Sequence, residues 1–181
     1  MGWLDRKDIL RWIDLITERD AGARIVLHGV SMGGAAAMMT AGEELKENVV
    51  AVVEECGYSS VWQIFRDEAG YLYHVPPFPL LYTADFICKL RAGYSFKEAS
   101  ALSQIEKTDL PVLFIHGTKD NFVHTEVVYE LYEACPGEKA LYICEGAGHG
   151  DAYYLDPEKY NEAVFDFLMP WNEGTVSRST F

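Results

Sequence analysis

Residues 23–39 read ARIVLHGVSMGGAAAMM, and this stretch decides the fold of the chain. The apolar run at residues 25–27 has no polar alternation, which is typical of a strand buried on both faces of a parallel sheet. The alanines and methionines that end the stretch are strong helix formers. Ser31 therefore lies on a strand-to-helix turn, with Gly29 two residues before it and Gly33 two residues after it.

This turn matches the G-x-S-x-G nucleophile elbow, a pattern that predicts covalent catalysis by Ser31. The elbow needs a strained serine backbone, and it brings the backbones of the strand and the helix very close together. A side chain at either Gly29 or Gly33 is therefore expected to collide with this backbone. The Met32 N–H, at the helix start, is expected to point to where an oxyanion would form. The alternative is an ordinary glycine-rich turn without a catalytic role. The catalytic interpretation also requires an acid and then a histidine further along the chain.

Size and composition indicate one globular domain that does not bind nucleic acid. The chain has 181 residues, of which 49% are hydrophobic, enough to form a sizeable core. The net charge of −13, from 15 basic and 28 acidic residues, disfavours nucleic acid and anionic membranes as partners.

The cysteines predict reduced thiols in a cytoplasmic protein, because they show neither a C-x-x-C motif nor the spacing of metal ligands. They are Cys56, Cys88, Cys135 and Cys144. We expect no metal site at these cysteines and, for the chain as a whole, no metal and no cofactor. The sequence also shows no signal peptide and no apolar run of membrane-spanning length.

Hydrophobic periodicity predicts alternating helices and parallel strands along the chain. The predicted helices cover residues 5–19, 32–41, 59–73, 80–90, 125–135 and 157–169, with a short helix within 94–103. The predicted strands cover residues 25–27, 48–54, 111–117 and 140–144. We predict a single domain over residues 1–170, with residues 59–103 as a lid-like insertion and residues 171–181 as a tail.

Polar residues follow the third and fourth predicted strands, where functional groups of parallel sheets gather. Asp120 lies in the turn after residues 111–117, and His149 stands between glycines after residues 140–144. Together with Ser31 they occur in the order that the elbow motif predicts.

Several other residues have competing interpretations. Asp120 could serve only as a turn former, and Glu55, at the end of the second strand, is the alternative acid. Asp151 is expected at a solvated helix start. Four histidines are given no catalytic role: we expect structural positions for His28 and His116, a water-facing position for His124, and no defined role for His74.

Four segments resemble the α/β-hydrolase family, in its bacterial serine esterase and prolyl-peptidase-like branch. They read LHGVSMGG, EECGYSSVW, PVLFIHGTKDNFV and GAGHGDAYY. The resemblance implies that Ser31 is the nucleophile, His149 the general base and then acid, and Asp120 the group that orients His149. It also implies Met32 N–H as an oxyanion donor and acyl transfer from an ester or related small molecule.

The resemblance covers only the carboxyl-terminal part of that family. It implies a three-layer αβα sandwich with a mostly parallel sheet that lacks the amino-terminal strands and the loop donating a second oxyanion N–H. The strand near Ile25 would then be a bare apolar edge, and we expect it to be covered, for example in a homodimer. Two alternatives stay open: a weak or inactive fragment that acts as an interaction module, and a thioesterase or peptidase of the same fold.

Overall fold

A computed structural model describes residues 1–172 of the chain. Its centre is a four-stranded sheet with the order β1-β2-β3-β4, in which every pair of neighbours is parallel. The strands are β1 (Ile25–Val30), β2 (Val49–Glu55), β3 (Val112–Gly117) and β4 (Lys139–Cys144). The apolar runs of the sequence thus predicted the strands and their parallel arrangement.

Eight helices connect and flank these strands within the described residues. They are α1 (Asp5–Arg19), α2 (Met32–Ala41), α3 (Val61–Tyr73), α4 (Leu80–Ala92), α5 (Ala101–Ile105), α6 (Glu126–Ala134), α7 (Ala152–Leu155) and α8 (Pro157–Asn172). None of the helices within residues 1–172 is both long enough and apolar enough to span a membrane.

The sheet has helices on both faces because its central strands are apolar on both sides. On β3, the side chain of Phe114 belongs to a core that includes Met38 of α2. The alternate residues Leu113 and Ile115 belong to a second core with Tyr160 of α8. This alternation follows from the two-residue period of a strand. Because the strands are parallel, their carboxyl ends lie at one edge of the sheet.

Two predicted boundaries were wrong. The short helix within residues 94–103 begins only at Ala101, because the Ser100 hydroxyl accepts the Ser103 N–H at 3.0 Å and caps α5 there. The last helix extends to Asn172, and Trp171, expected in the tail, is buried. Residues 173–181 of the predicted tail lie outside the described residues.

Strand β1 is an outer strand of the sheet in the described part of the chain, with β2 as its hydrogen-bonded neighbour. Beside it, Val26 and α8 residues such as Phe165 line an apolar cavity of about 410 Å³. Helices α3 and α4 lie between β2 and β3 in sequence. The division of the chain into a domain with a lid-like insertion stays a prediction.

Candidate active site

The elbow has the local geometry that its sequence predicts at Ser31. This residue joins β1 to α2 with φ 56° and ψ −116°, a conformation that is strained for a residue with a side chain. Its N–H donates to the Glu55 carbonyl at 2.7 Å, and its carbonyl accepts from Ala35 N–H at 3.0 Å. The turn is therefore held both by the neighbouring strand and by the helix that follows.

The structure confirms one of the two predicted glycine requirements in the elbow and contradicts the other. A Cβ at Gly29 would lie 2.2 Å from the backbone carbonyl of Gly33, so this glycine is required. A Cβ at Gly33 would meet no atom within 4 Å, and the predicted collision there was wrong. The second crowded glycine is Gly34, where a Cβ would lie 3.1 Å from the Glu55 carbonyl oxygen. Helix α2 packs against β2 through Gly34, whereas Gly33 is exposed.

Three side chains from three strand ends form one chain of hydrogen bonds. His149 Nδ1 lies 2.7 Å from Asp120 Oδ2, and His149 Nε2 lies 2.7 Å from Ser31 Oγ. A carboxylate can only accept, so Nδ1 carries the proton and Nε2 is free to accept the Ser31 hydroxyl. The arrangement can move a proton from Ser31 to His149 and leave a charged imidazolium facing a buried carboxylate.

Asp120 is held as a buried carboxylate by four donors. Burial by itself would raise the pKa of Asp120, but hydrogen bonds from His116, His149 and two backbone N–H groups lower it well below its usual range. Both N–H groups, from Phe122 and Val123, donate to Oδ1 at 2.9 Å. Oδ2 thus faces His116 and His149, and the Asp120 carboxylate stays ionised at neutral pH.

Contacts between the ends of β3 and β4 set the position of His149. Thr118 Oγ1 accepts the Gly146 N–H at 2.8 Å, and Lys119 N–H donates to the Ala147 carbonyl at 2.9 Å. The approach is so close that a Cβ at Gly117 would lie 2.3 Å from the Ala147 carbonyl oxygen. The absence of a side chain at Gly117 therefore lets the loop that carries His149 cross directly over the turn that carries Asp120.

The alternative acid, Glu55, is engaged elsewhere. Its Oε1 accepts the Ala152 N–H at 3.2 Å, and its carboxylate also hydrogen-bonds with Tyr160. Burial raises the pKa of Glu55 despite these bonds. The structure therefore pairs His149 with Asp120 and uses Glu55 to connect β2 with α7 and α8.

The other residues that the sequence singled out take no part in this chain of hydrogen bonds. Met32 is the first residue of α2. Asp151 precedes α7 and is exposed, without a side-chain capping bond. His28 contacts the Tyr160 hydroxyl at 3.1 Å, and burial lowers its pKa. Both His74 and His124 are exposed.

Three residues at the site were not recognised from the sequence. His116 is fully buried, and its Nε2 lies 3.3 Å from Asp120 Oδ2 and 2.8 Å from the Val123 carbonyl oxygen. The ring of Phe122 packs edge-on to His149 with centroids 4.9 Å apart. Cys56 has φ 45° and places its Sγ 4.0 Å from His149 Nε2. Only His116 gave a signal, as a polar residue inside an apolar strand four positions before Asp120.

One group of side chains within residues 1–172 has the spacing of metal ligands, and it overlaps the same site. It consists of Cys56, Asp120 and His149, whose ligand atoms lie within 4.8 Å of one another. Both ring nitrogens of His149 already face hydrogen-bond partners, and burial raises the pKa of the Cys56 thiol strongly. These atoms are therefore arranged for proton transfer rather than for holding a cation.

Sequence comparison links the chain to a family of hydrolases. The sequence profile of the prolyl oligopeptidase family, peptidase S9, matches residues 2–173. An uncharacterised Bacillus subtilis protein, YqkD, is 32% identical over 179 residues, which are 96% of this chain and 57% of that protein. The human α/β-hydrolase domain-containing protein 17C is 37% identical over 70 residues, 36% of this chain and 21% of that protein. The chain thus spans little more than half of the relative that it matches along its length.

Solved structures share the fold at low sequence identity. An esterase of Pyrococcus furiosus superposes with a TM-score of 0.67 and 21% identity, covering 91% of this chain and 60% of the other. An acylaminoacyl peptidase of Pyrococcus horikoshii gives a TM-score of 0.70 and 19% identity, covering 93% of this chain and 28% of the other. These similarities show an α/β-hydrolase-like fold with its parallel sheet flanked by helices.

Proposed function

The chain belongs to the prolyl oligopeptidase family of α/β-hydrolases, and from that premise we propose that it is a serine hydrolase acting on carboxylic esters. The observation that carries the proposal is the unbroken pair of 2.7 Å contacts from Ser31 through His149 to Asp120. Ser31 would act as the nucleophile, His149 as the base and then the acid, and Asp120 as the group that orients His149. The proposed reaction uses these three side chains and no cofactor.

In the proposed reaction, Ser31 Oγ forms a bond with the carbonyl carbon of the ester while its proton moves to His149 Nε2. The tetrahedral intermediate then expels the alcohol, which takes that proton and leaves an acyl-enzyme on Ser31. Water then attacks the acyl carbon while its proton moves to His149. The second tetrahedral intermediate expels Ser31, which takes that proton, and the carboxylic acid is released. Asp120 holds the useful tautomer of His149 and stabilises the imidazolium that forms twice in each cycle.

The Met32 N–H is the proposed donor to the oxyanion. As the first residue of α2, it lies among the N–H groups that have no partner inside a helix, at the positive end of the helix dipole. A second donor is expected from a part of the fold that precedes the elbow strand in related hydrolases. Removal of one oxyanion donor typically reduces the rate of such a reaction by about 10²–10³-fold.

A fluorophosphonate probe with an intact-mass readout tests this proposal. We expect one covalent adduct on the wild-type chain and none on Ser31→Ala. Ser103→Ala is a matched control, because Ser103 is exposed on α5 and away from the strand ends. Labelling of Ser31→Ala would show that the probe reacts elsewhere. If none of the three proteins were labelled, Ser31 would not be activated in this chain.

Hydrolysis of p-nitrophenyl acetate, the matching thioester and an amino-acid anilide then separates esterase, thioesterase and peptidase activity. The triad chemistry is common to all three, so only the relative rates distinguish them. We expect the ester to react faster than the anilide, because its phenolate leaving group needs less help from His149 as an acid than an aniline nitrogen does. The ratio of the ester and thioester rates then separates esterase from thioesterase activity.

A further inference from the structure

His116 is a buried polar residue in a strand that is otherwise apolar. Its Nε2 lies 2.8 Å from the Val123 carbonyl oxygen and 3.3 Å from Asp120 Oδ2. A carbonyl and a carboxylate only accept hydrogen bonds, so Nε2 carries a proton and donates it to both. The other ring nitrogen, Nδ1, is buried without a hydrogen-bond partner among the described residues. An imidazole with one unpaired nitrogen is an unfavourable core residue, so its presence at this position is explained by the contacts of Nε2.

The contact with Val123 closes the turn that carries Asp120. The Val123 N–H donates to Asp120 Oδ1 at 2.9 Å, and the Val123 carbonyl accepts from His116. Phe122 lies in the same turn, where it donates its N–H to Oδ1 and packs its ring against His149 with centroids 4.9 Å apart. The N–H of one imidazole thus holds the turn that contacts both the acid and the base of the proposed triad.

The contact with Asp120 acts on the carboxylate itself. Oδ1 accepts two backbone N–H groups, and Oδ2 faces the rings of His116 and His149. Burial by itself would raise the pKa of Asp120, and the hydrogen bond from His116 is one of those that lower it below its usual range. Without that donor, His149 would be the remaining partner of Oδ2 within residues 1–172. The carboxyl group would then be less restrained about its χ2 angle, whose preference is broad.

We propose that His116 is a positioning residue of the triad. Through its Nε2–H it fixes Asp120 Oδ2 and the Val123 carbonyl. His149 thereby keeps its Nδ1–H tautomer and its orientation towards Ser31. The inference rests on the proposed serine hydrolase function and adds a further side chain to it. A displacement of about 1 Å in the reacting groups can lower a rate by about 10²-fold, so the loss of this positioning should appear in kcat.

Substitutions of His116 separate this role from a purely structural one. His116→Leu fills a similar volume but has no donor, whereas His116→Gln places an amide N–H close to the position of Nε2. Thr125→Val is the matched control. Thr125 Oγ1 donates to the Gly117 carbonyl at 2.8 Å across the same turn, and no hydrogen bond within residues 1–172 joins it to Asp120. With p-nitrophenyl acetate we expect His116→Leu to lower kcat by about 10–100-fold at an unchanged KM, while the other two variants retain most of the activity.

Two outcomes of these kinetics would overturn the inference. Full activity of His116→Leu is the first. Equal loss of kcat in His116→Leu and Thr125→Val is the second, because any weakening of the turn would then be sufficient. If thermal melting shows that His116→Leu does not fold, His116→Asn takes its place. Its shorter side chain keeps a polar amide but does not bring an N–H to Asp120, so it should lose kcat where His116→Gln does not.

The ring nitrogens of His149 report the same role without any turnover. At alkaline pH, where imidazoles are neutral, the NMR chemical shifts of these nitrogens show which one carries the proton. The signals absent from His149→Gln are assigned to this residue. We expect the Nδ1–H tautomer in the wild type, His116→Gln and Thr125→Val, and a mixture of both tautomers in His116→Leu. A tautomer that does not depend on His116 would overturn the inference. If it does depend on His116 in a protein that the fluorophosphonate does not label, the positioning role is supported and the proposed hydrolysis alone is contradicted.

Discussion

Ser31 and Cys56 both have left-handed backbone angles, φ 56° and 45°, at the carboxyl ends of the neighbouring strands β1 and β2. Each of these strained residues donates its N–H to a carbonyl of the next strand in the sheet. The Ser31 N–H donates to the Glu55 carbonyl at 2.7 Å, and the Cys56 N–H donates to the Ile115 carbonyl at 2.9 Å. Each strand end is thus fixed by the next strand, which holds Ser31 and Cys56 in their strained conformations.

The first prediction concerns the reactivity of this cysteine. Burial raises the pKa of the Cys56 thiol, while Cys88 on α4 is partly exposed. Because the thiolate is the reactive form, iodoacetamide should modify Cys88 of the native protein and leave Cys56 unmodified. Peptide mass spectrometry locates the adduct, and the same treatment in denaturant should modify all the cysteines. An adduct on native Cys56, with parallel loss of fluorophosphonate labelling, would contradict the buried position.

The second prediction identifies the acid of the triad. Asp120→Asn should lower kcat by about 10⁴-fold, because an amide no longer holds the Nδ1–H tautomer of His149. Glu55→Gln should retain most of the activity, since within the described residues Glu55 does not contact His149 through a hydrogen bond and the glutamine amide oxygen can still accept the Ala152 N–H. Asp151→Asn is an exposed control near His149. If Glu55→Gln lost as much activity as Asp120→Asn, the assignment of the acid would be wrong.

A third prediction separates the glycines of the elbow. Gly29→Ala should destabilise the chain by about 3 kcal/mol or more, because its Cβ would overlap the Gly33 carbonyl. Gly33→Ala should be neutral or stabilise by up to about 1 kcal/mol, because the position is open and alanine favours the helix. Urea unfolding measures both changes. Similar destabilisation by the two substitutions would contradict the packing described here.

The comparison of these glycines shows where sequence reasoning succeeds and where it fails. The strands, the elbow and the order Ser31, Asp120, His149 were predictable, because each depends on a short local pattern. The left-handed angle of Cys56 was not, because it depends on how β2 and β3 approach in space. The contacts of His116 were not, because they depend on how the turn after β3 folds back over this side chain. The same reason explains the misplaced glycine: a motif gives spacing along the chain but not the distance to a neighbouring strand.

The fourth prediction concerns a buried carboxyl outside the triad. Glu54 is fully buried, and its Oε2 accepts the Gly57 N–H at 2.9 Å. Burial raises the pKa of Glu54 from 4.5 to about 8. Between these two values the folded state holds a proton that the unfolded state has released. Stability should therefore fall as the pH rises through this range, by at most about 1.4 kcal/mol per pH unit.

Glu54→Gln keeps the shape and the bond to Gly57 but has no proton to lose. We expect the variant to match the wild type near pH 5 and to be more stable near pH 8, with the difference growing between them. Urea unfolding across this pH range measures it, and Glu44→Gln provides an exposed control. If wild type and Glu54→Gln had parallel pH profiles, the carboxyl would not be protonated in the folded state.

The last prediction concerns the outer edge of β1. Within residues 1–172 this edge has unpaired backbone groups, and the apolar cavity formed by Val26, Phe165 and neighbouring residues lies directly beside it. An exposed strand edge next to apolar surface is a strong template for pairing. A second copy presents the same edge and the same cavity, so a two-fold arrangement would cover both at once.

We therefore expect the chain to form a homodimer, with the dimer fraction rising with concentration in light scattering coupled to size-exclusion chromatography. Phe165→Glu should shift the protein to the monomer without lowering its melting temperature, because this side chain is 66% exposed and carries little of the core. Phe86→Glu is matched in residue type and in exposure, 63%, but lies on α4, away from β1. A monomer at every concentration, or equal dissociation by both variants, would show that β1 does not form the interface.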